Sequence, residues 1–235
     1  MAEDAKQPPE KEVESWDYFE YIIHHLEAAL RANLSLFLGL QEVTFLLETW
    51  TAEFPEQTQF RSDLIVEALP TLDVRIRFTQ VLQNLVKEFV PITNLPAILE
   101  SFQQHWPKLE DVTTVTEAVR LDIKGELPGN TGTYDFIGLS QGFEKEIQRF
   151  LVPRNKGVTF AILPEPTQGL LSAFRDAMAE TNQKKLVVVT QAAAIRPFVR
   201  RLLSYEFPEI TVLSADELRP DLKSRITRTV EYGTA

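Results

Sequence analysis

The sequence lacks several residues on which common kinds of active site depend. It contains no cysteine, which excludes disulfides, thiolate metal ligands and cysteine nucleophiles. Only three histidines are present and none lies beyond His105, so the second half of the chain has no histidine to serve as a base. Ser140 lies in a G-x-S-x-G pattern at residues 138–142, but this half of the chain has no histidine to complete a serine triad. These absences argue against catalysis, and the chain is expected not to be an enzyme and to need no cofactor or metal.

Basic residues and long apolar runs are also scarce. The 24 lysines and arginines are outnumbered by 34 acidic residues, giving a formal net charge of −10. A nucleic-acid or anionic-membrane surface needs the opposite balance, because phosphate groups are neutralised by cations. No apolar run approaches the roughly 18 residues of a membrane-spanning helix, and no signal peptide is visible. The sequence therefore predicts a cytoplasmic chain that does not itself enter the membrane.

Glycine is infrequent, and its distribution suggests a boundary. Three of the nine glycines lie with Pro128 between residues 125 and 132. Helical patterns precede this cluster, whereas short apolar strands alternate with helices after it. We predict an α+β fold with a helical subdomain at 15–124 followed by a small α/β sandwich subdomain at 134–232. Residues 1–14 carry seven charges and two prolines and are expected to be a disordered tail.

The first subdomain shows repeated helical spacing. One further helix is expected within 60–69, and Val74 and Ile76 are expected to form a short strand. A capping box formed by Thr114 and Glu117 predicts the start of another helix. Apolar residues at helical spacing define two earlier helices: Phe19, Ile22, Ile23, Leu26, Leu30 and Leu34, then Val43, Leu46, Leu47 and Trp50.

The segment 82–106, LQNLVKEFVPITNLPAILESFQQHW, predicts two amphipathic helices joined by a break. Pro91 cannot donate a helical hydrogen bond and restricts the preceding residue, and Thr93 or Asn94 can cap the next helix. The two apolar stripes are Leu82, Leu85, Val86 and Phe89, then Leu95, Ile98, Leu99 and Phe102.

In the second subdomain, apolar strands are expected at about 134–139, 158–163, 186–190 and 210–214, with an edge strand at 224–230. Helices are expected at about 140–150, 167–181 and 195–206.

The segment 82–102 resembles the FHIPEP family of export-gate proteins of flagellar and virulence type III secretion, with its leucine-rich helix, turn and ILE-containing helix. Three further segments follow in the family's order. They are FLGLQEVTFLLETW at 37–50, EAVR at 117–120, and LVVVTQAAAIRPFVRRLLSYEFPEITVLSADEL at 186–218. The sequence is therefore similar to the C-terminal cytosolic part of that family over residues 20–230, without its transmembrane half.

This resemblance implies a protein-interaction scaffold of an export apparatus at the inner-membrane face. By the resemblance, residues 40–124 would assemble family members into a homo-oligomeric ring, here weakly, and residues 134–232 would face the export machinery. Its partners would be other export-apparatus proteins, the export ATPase, secretion chaperones and their substrates. Thr93 and Asn94 replace the Arg and Asp usual in the family turn, which puts its neighbour contacts in question. An excised fragment and a shortened stand-alone relative, and a flagellar and a virulence system, both stay open.

Two groups of charged residues are candidate sites. Arg196, Arg200 and Arg201 are expected on the outer side of a helix, where they would either pair with nearby carboxylates or contact an acidic protein partner. Asp216 and Glu217 follow a strand and could hold Mg²⁺ at the carboxyl end of a sheet. They would be the acidic site of the alternative interpretation, an enzyme or small-ligand α/β protein. A third interpretation is a stand-alone regulator that binds one partner as a monomer.

Overall fold

The structure is a computed structural model and describes residues 17–53, 55–109, 111–154, 157–179 and 186–232. The predicted tail at 1–14 lies outside these residues. The chain divides into two compact units, Met1–Asn33 and Leu34–Ala235.

The described part of the first unit is essentially one helix, α1 (Tyr18–Asn33). Asp17 and Glu20 cap its start reciprocally: the Glu20 N–H donates to the Asp17 carboxylate at 2.8 Å, and the Asp17 N–H donates to Glu20 at 3.1 Å. An ion pair one turn apart, Glu27 with Arg31 at 2.8 Å, supports the last turns. No residue of α1 is buried.

The second unit begins with helices and ends with a sheet. Its helices are α2 (Leu40–Glu53), α3 (Thr58–Ala68), α4 (Leu72–Lys87), α5 (Leu95–Leu109), α6 (Val112–Asp122), α7 (Gln141–Arg149), α8 (Pro164–Met178) and α9 (Arg196–Leu203). Its strands are β1 (Asp135–Leu139), β2 (Leu151–Arg154), β3 (Gly157–Phe160), β4 (Leu186–Thr190), β5 (Thr211–Ser214) and β6 (Ile226–Val230). The predicted α+β class is confirmed.

The strand predicted at Val74 and Ile76 is wrong, because both residues lie in α4. Thr71 caps this helix, accepting from the Val74 N–H at 3.4 Å. The apolar spacing of its buried face continues into Leu85 and Val86, so the first turn belongs to the same helix. Isolated apolar residues near a helix start carry too little periodicity to separate strand from helix.

The predicted break between α4 and α5 is confirmed. Phe89 adopts a positive φ of 58° after the helix, and is only partly buried. Asn94 then caps α5 by accepting from the Ala97 N–H at 3.4 Å. The predicted capping box of α6 is wrong in its residue: Asp111, not Thr114, is the cap, and accepts from both the Thr114 N–H and its hydroxyl at 2.8 Å.

Four parallel strands form the main sheet, in the order β5-β4-β1-β6, and β2 pairs with β3 as a separate antiparallel hairpin. Alternate residues of each strand point to opposite faces of the sheet, and both faces are covered by helices. Phe136, Val187 and Leu213 join the core of the helical part, whereas Ile137 and Val188 pack with α7, α8 and α9.

The predicted boundary at 125–132 is not an exposed linker throughout. Leu127 and Asn130 are buried, and the Asn130 amide donates to the Lys124 and Glu217 carbonyls at 2.7 and 2.8 Å. Gly129 has a φ of 95°, and a Cβ there would lie 2.8 Å from a Val187 methyl. The segment is therefore packed onto the sheet. The subdomain division itself stays a prediction.

Candidate interaction surface and the charged joint

The arginines of α9 do not all lie on its outer side. Arg201 is exposed as predicted, but Arg196 is 1% exposed and Arg200 is 7% exposed, so their predicted outer position is wrong. The reason is that α9 packs on two sides: Val199 belongs to the core beneath the sheet, while Arg196 turns toward the helical part. A single helical stripe in the sequence reveals only one of these contacts.

Arg196 joins the two parts of the second unit. Its guanidinium donates to the Glu88 carboxylate at 2.6 and 3.0 Å and to both oxygens of Glu117. Glu88 caps the end of α4 and Glu117 lies on α6, so one side chain of the α/β part holds two helices of the helical part. Such bidentate pairs fix geometry as well as charge.

Arg120 makes the reverse connection from α6. Its Nε donates to the Glu217 carboxylate at 2.7 Å, and its Nη1 donates to Glu88 at 3.1 Å. The other oxygen of Glu217 accepts from the Ser214 N–H at 2.7 Å. We call Glu88, Glu117, Arg120, Arg196 and Glu217 the charged joint.

Opposing effects set the ionisation of the joint. Burial disfavours the charged form of Glu88, but attraction from Arg196 and Arg120 outweighs it and lowers the pKa of Glu88 to about 2. Burial raises the pKa of Glu117, and its attraction to Arg196 offsets this only in part. Burial also opposes the charge of Arg196, yet Glu88 and Glu117 raise its pKa well above the ordinary value. Glu88 is thus more firmly ionised than Glu117.

Arg200 lies beside the joint without entering it. Its Nη2 donates to the Pro208 carbonyl at 2.8 Å, but its buried Nε and Nη1 find no hydrogen-bond partner among the described residues. Burial, together with repulsion from Arg196 and Arg120, lowers its pKa. These contacts give Arg200 a role in holding the end of α9.

The structure does not assemble the predicted acidic site. Glu217 is 2% exposed and its carboxylate is occupied by Arg120 and Ser214, whereas its neighbour Asp216 is exposed. The two carboxylates therefore do not converge on one ligand. Among the described residues, no group of three or more His, Asp or Glu side chains is placed to hold a metal ion.

A cleft of about 370 Å³ does exist, but it lies between α2 and α3 and not at the strand ends. Its lining combines apolar residues such as Leu47 and Ile65 with hydroxyls such as Thr51 and Ser62. It contains no histidine, and its charged lining residues are Glu48 and Arg75. The cleft shows no nucleophile paired with a base.

The family model described as "FHIPEP family" matches residues 2–223. The chain belongs to the FHIPEP family. The predicted resemblance is thereby confirmed. None of the helices in the described part of this FHIPEP chain is long and apolar enough to cross a bilayer.

Its curated relatives include components of both secretion and flagellar systems. The hypersensitivity response secretion protein HrcV of Ralstonia nicotianae is 30% identical over 204 residues, covering 84% of this chain and 28% of HrcV. The low calcium response locus protein D of Yersinia pestis is 28% identical over 215 residues, covering 88% of this chain and 29% of the relative. The flagellar biosynthesis protein FlhA of Buchnera aphidicola is 29% identical over 203 residues, covering 83% of this chain and 27% of FlhA. The chain thus spans less than a third of each relative.

Solved structures share the fold. Chlamydia pneumoniae CdsV aligns with a TM-score of 0.72 at 26% identity, over 92% of this chain and 62% of that chain. The nonameric EscV cytosolic domain of a type III secretion system aligns with a TM-score of 0.72 at 23% identity, over 92% of this chain and 63% of the EscV chain.

The sequence missed most of the charged joint of this FHIPEP chain. Glu117 and Arg120 lie in the EAVR segment that carried part of the resemblance, so that motif was a usable signal. Glu217 was predicted only as half of an acidic site with Asp216, and Glu88 gave no signal, because a charged residue next to a helix end is ordinarily solvated.

Proposed function

We propose that this FHIPEP chain is a non-catalytic interaction scaffold of a type III protein export apparatus. The observation that carries the proposal is the agreement of its fold, over about nine-tenths of the chain, with CdsV and with the EscV cytosolic domain of a type III secretion system. In this role the chain lies at the cytoplasmic face of the inner membrane, positioned by partners or by a membrane domain. Its function is to dock export substrates, chaperones and the export ATPase.

Ring assembly is assigned to residues 40–124. The EscV cytosolic domain is nonameric, and large apolar side chains are exposed on the helical part of this chain. Phe45 is 70% exposed, Phe60 is 67% exposed and Leu72 is 62% exposed. Side chains of this kind are enriched at the centres of protein interfaces. Contacts between copies are weak when the chain is free, because no tether raises their effective concentration.

Partner binding is assigned to the α/β part, at α9. CdsV has been solved in complex with CdsO, a structure with which this chain shares a TM-score of 0.70. Arg201 is the exposed member of the predicted protein-binding set and supplies the contact to an acidic partner surface. Arg196 and Arg200 act from the interior by holding α9 in place.

Ring assembly is tested by tethering the full chain, through an added N-terminal His tag, to nickel-lipid vesicles and crosslinking it. We expect a ladder of oligomers that Phe45→Glu shortens sharply, because a charge replaces an apolar contact. Tyr205→Glu is the matched control, since Tyr205 is 72% exposed on the α/β part. A ladder that is absent, or that survives Phe45→Glu and disappears with Tyr205→Glu, contradicts the assignment.

A thermal-shift panel on the same chain tests the absence of small-molecule function. Mg²⁺, chelators and nucleotides are expected to leave the melting temperature unchanged, because a ligand of the folded state must raise it. A dose-dependent rise with Mg²⁺ or a nucleotide contradicts a purely scaffolding role.

A further inference from the structure

Arg200 of α9 is a buried cation without an ion-pair partner in the part of the chain that the structure describes. The residue is 7% exposed. Its Nη2 donates to the Pro208 carbonyl at 2.8 Å, but its Nε and Nη1 are buried and find no hydrogen-bond acceptor there. The nearest carboxylate along the chain, Glu206, is paired with Arg175 at 2.9 Å. A guanidinium cannot lose its proton to escape burial, so the charge of Arg200 needs compensation from elsewhere.

Arg196, one turn earlier on α9, shows how a buried guanidinium is saturated in this protein. Its Nε and Nη2 donate to the two oxygens of Glu117, and its Nη1 and Nη2 donate to Glu88. Arg200 has the same donors, but among the described residues its acceptor is a single neutral carbonyl. Buried donors of this kind are ordinarily paired in folded proteins. Two N–H groups of Arg200 are therefore available to an acceptor that the described residues do not supply.

The charges around Arg200 favour an anion over water as this acceptor. Burial is the main cause that lowers the pKa of Arg200; Glu88 attracts its charge, whereas Arg196 and Arg120 repel it. Both oxygens of Glu88 already accept from Arg196, and Oε2 also accepts from Arg120. A water molecule would accept the hydrogen bonds of Arg200 but leave its charge uncompensated. An anion supplies both the hydrogen bonds and the opposite charge.

We propose that the buried N–H groups of Arg200 bind one small monovalent anion from solution, of the size of chloride. The anion compensates the guanidinium as Glu88 and Glu117 compensate that of Arg196. Because Nε and Nη1 are buried, a bulkier anion such as gluconate or a nucleotide cannot reach them while the end of α9 stays packed. Chloride therefore stabilises the folded chain by mass action. Such a site is independent of the proposed export function.

Thermal unfolding of the full chain tests the site at constant ionic strength, with sodium gluconate replaced stepwise by sodium chloride. We expect a saturable rise of the melting temperature, reaching about 3–5 °C when chloride is at about ten times its Kd. Constant ionic strength keeps the screening of surface charges unchanged, so the rise reports chloride itself. Chloride is held fixed in the Mg²⁺ and nucleotide panel, which keeps the two tests separate.

Two neighbouring arginines provide a matched pair of variants. Arg200→Met removes the buried donors while keeping an apolar stem, and is expected to abolish the chloride-dependent rise. Arg201→Met removes an exposed arginine of the same helix and is expected to keep the rise in full. A purely structural role of Arg200 would instead lower the melting temperature of Arg200→Met equally in both salts and leave the rise intact.

Crystals of the unaltered chain grown in sodium bromide locate the anion by its anomalous scattering, whether or not Arg200→Met folds. We expect bromide within hydrogen-bonding distance of Nε or Nη1 of Arg200. An ordered water at both atoms overturns the proposal. So does an absent chloride response, which would make a bromide seen there an adventitious ion only. A response that survives Arg200→Met, or that disappears equally in Arg201→Met, overturns it as well.

Discussion

The helix pair α4–α5 and the charged joint are both interior contacts. The first is made of apolar side chains and the second of charged side chains. Between α4 and α5, Phe78 and Phe102 meet edge to face with ring centroids 5.1 Å apart, and both are fully buried. In the joint, the buried groups are arginines and carboxylates whose partners come from distant parts of the chain. Apolar packing tolerates small shifts, whereas bidentate ion pairs hold one arrangement. The helical part is thus a packed body, and the joint fixes how the α/β part sits on it.

Breaking the joint is expected to have the largest effect. Arg196→Met leaves the partly buried Glu117 without its cation and removes one of the two cations of Glu88. We therefore expect a loss of about 3–5 kcal/mol in the free energy of unfolding. Urea denaturation measures it. Adding Glu117→Gln to Arg196→Met should recover about 1 kcal/mol or more, because an uncompensated charge is removed. A loss below about 1 kcal/mol for Arg196→Met would mean that the joint does not hold the two parts together.

Two carboxylates of the joint, Glu88 and Glu117, are expected to respond to acid in opposite directions. The pKa of Glu88 is lowered to about 2, so its contribution is present above its unfolded pKa near 4.5 and disappears as the pH falls toward 2. We expect about 3 kcal/mol to be lost over that window, and Glu88→Gln to remove most of this dependence.

The raised pKa of Glu117 has the opposite sign, because the folded chain takes up that proton before the unfolded chain does. Glu117→Gln should therefore keep the acid loss and make it steeper. Urea denaturation from pH 2 to pH 7 compares the variants. Identical profiles for Glu88→Gln and Glu117→Gln would show that the joint does not shift the pKa values of these two carboxylates in opposite directions.

Much of this architecture could be predicted from the sequence because apolar periodicity records burial directly. The helix pair at 82–106 and the strands that alternate with helices after residue 134 follow from it, and the break between the two helices follows from Pro91. The joint does not, because Arg196 and Glu88 are 108 residues apart and each looks solvated in its own segment. The burial of Asn130 was hidden for a similar reason: glycine and proline around it signal a turn, but not what the turn packs against.

For the apolar helix pair α4–α5 we predict a smaller loss in the free energy of unfolding, and one that does not change with pH. Ile98 is fully buried on α5, and Ile98→Val removes one methyl group. We expect a loss of about 1 kcal/mol that is the same at pH 7 and pH 3.5, since no titrating group is involved. A loss that changes between these two pH values would indicate that the helix pair depends on the joint, and the contrast between the regions would then fail.

The scaffold account is tested most directly by the affinity of the full chain for the counterpart of CdsO from the same bacterium, measured by isothermal titration. We expect saturable binding that Arg201→Glu weakens by about tenfold, equivalent to the loss of one favourable charge contact. Arg154→Glu, a charge reversal at another exposed arginine of the α/β part, should bind as the unaltered chain does. Absence of binding by the unaltered, folded chain, or equal weakening by both substitutions, would contradict the account.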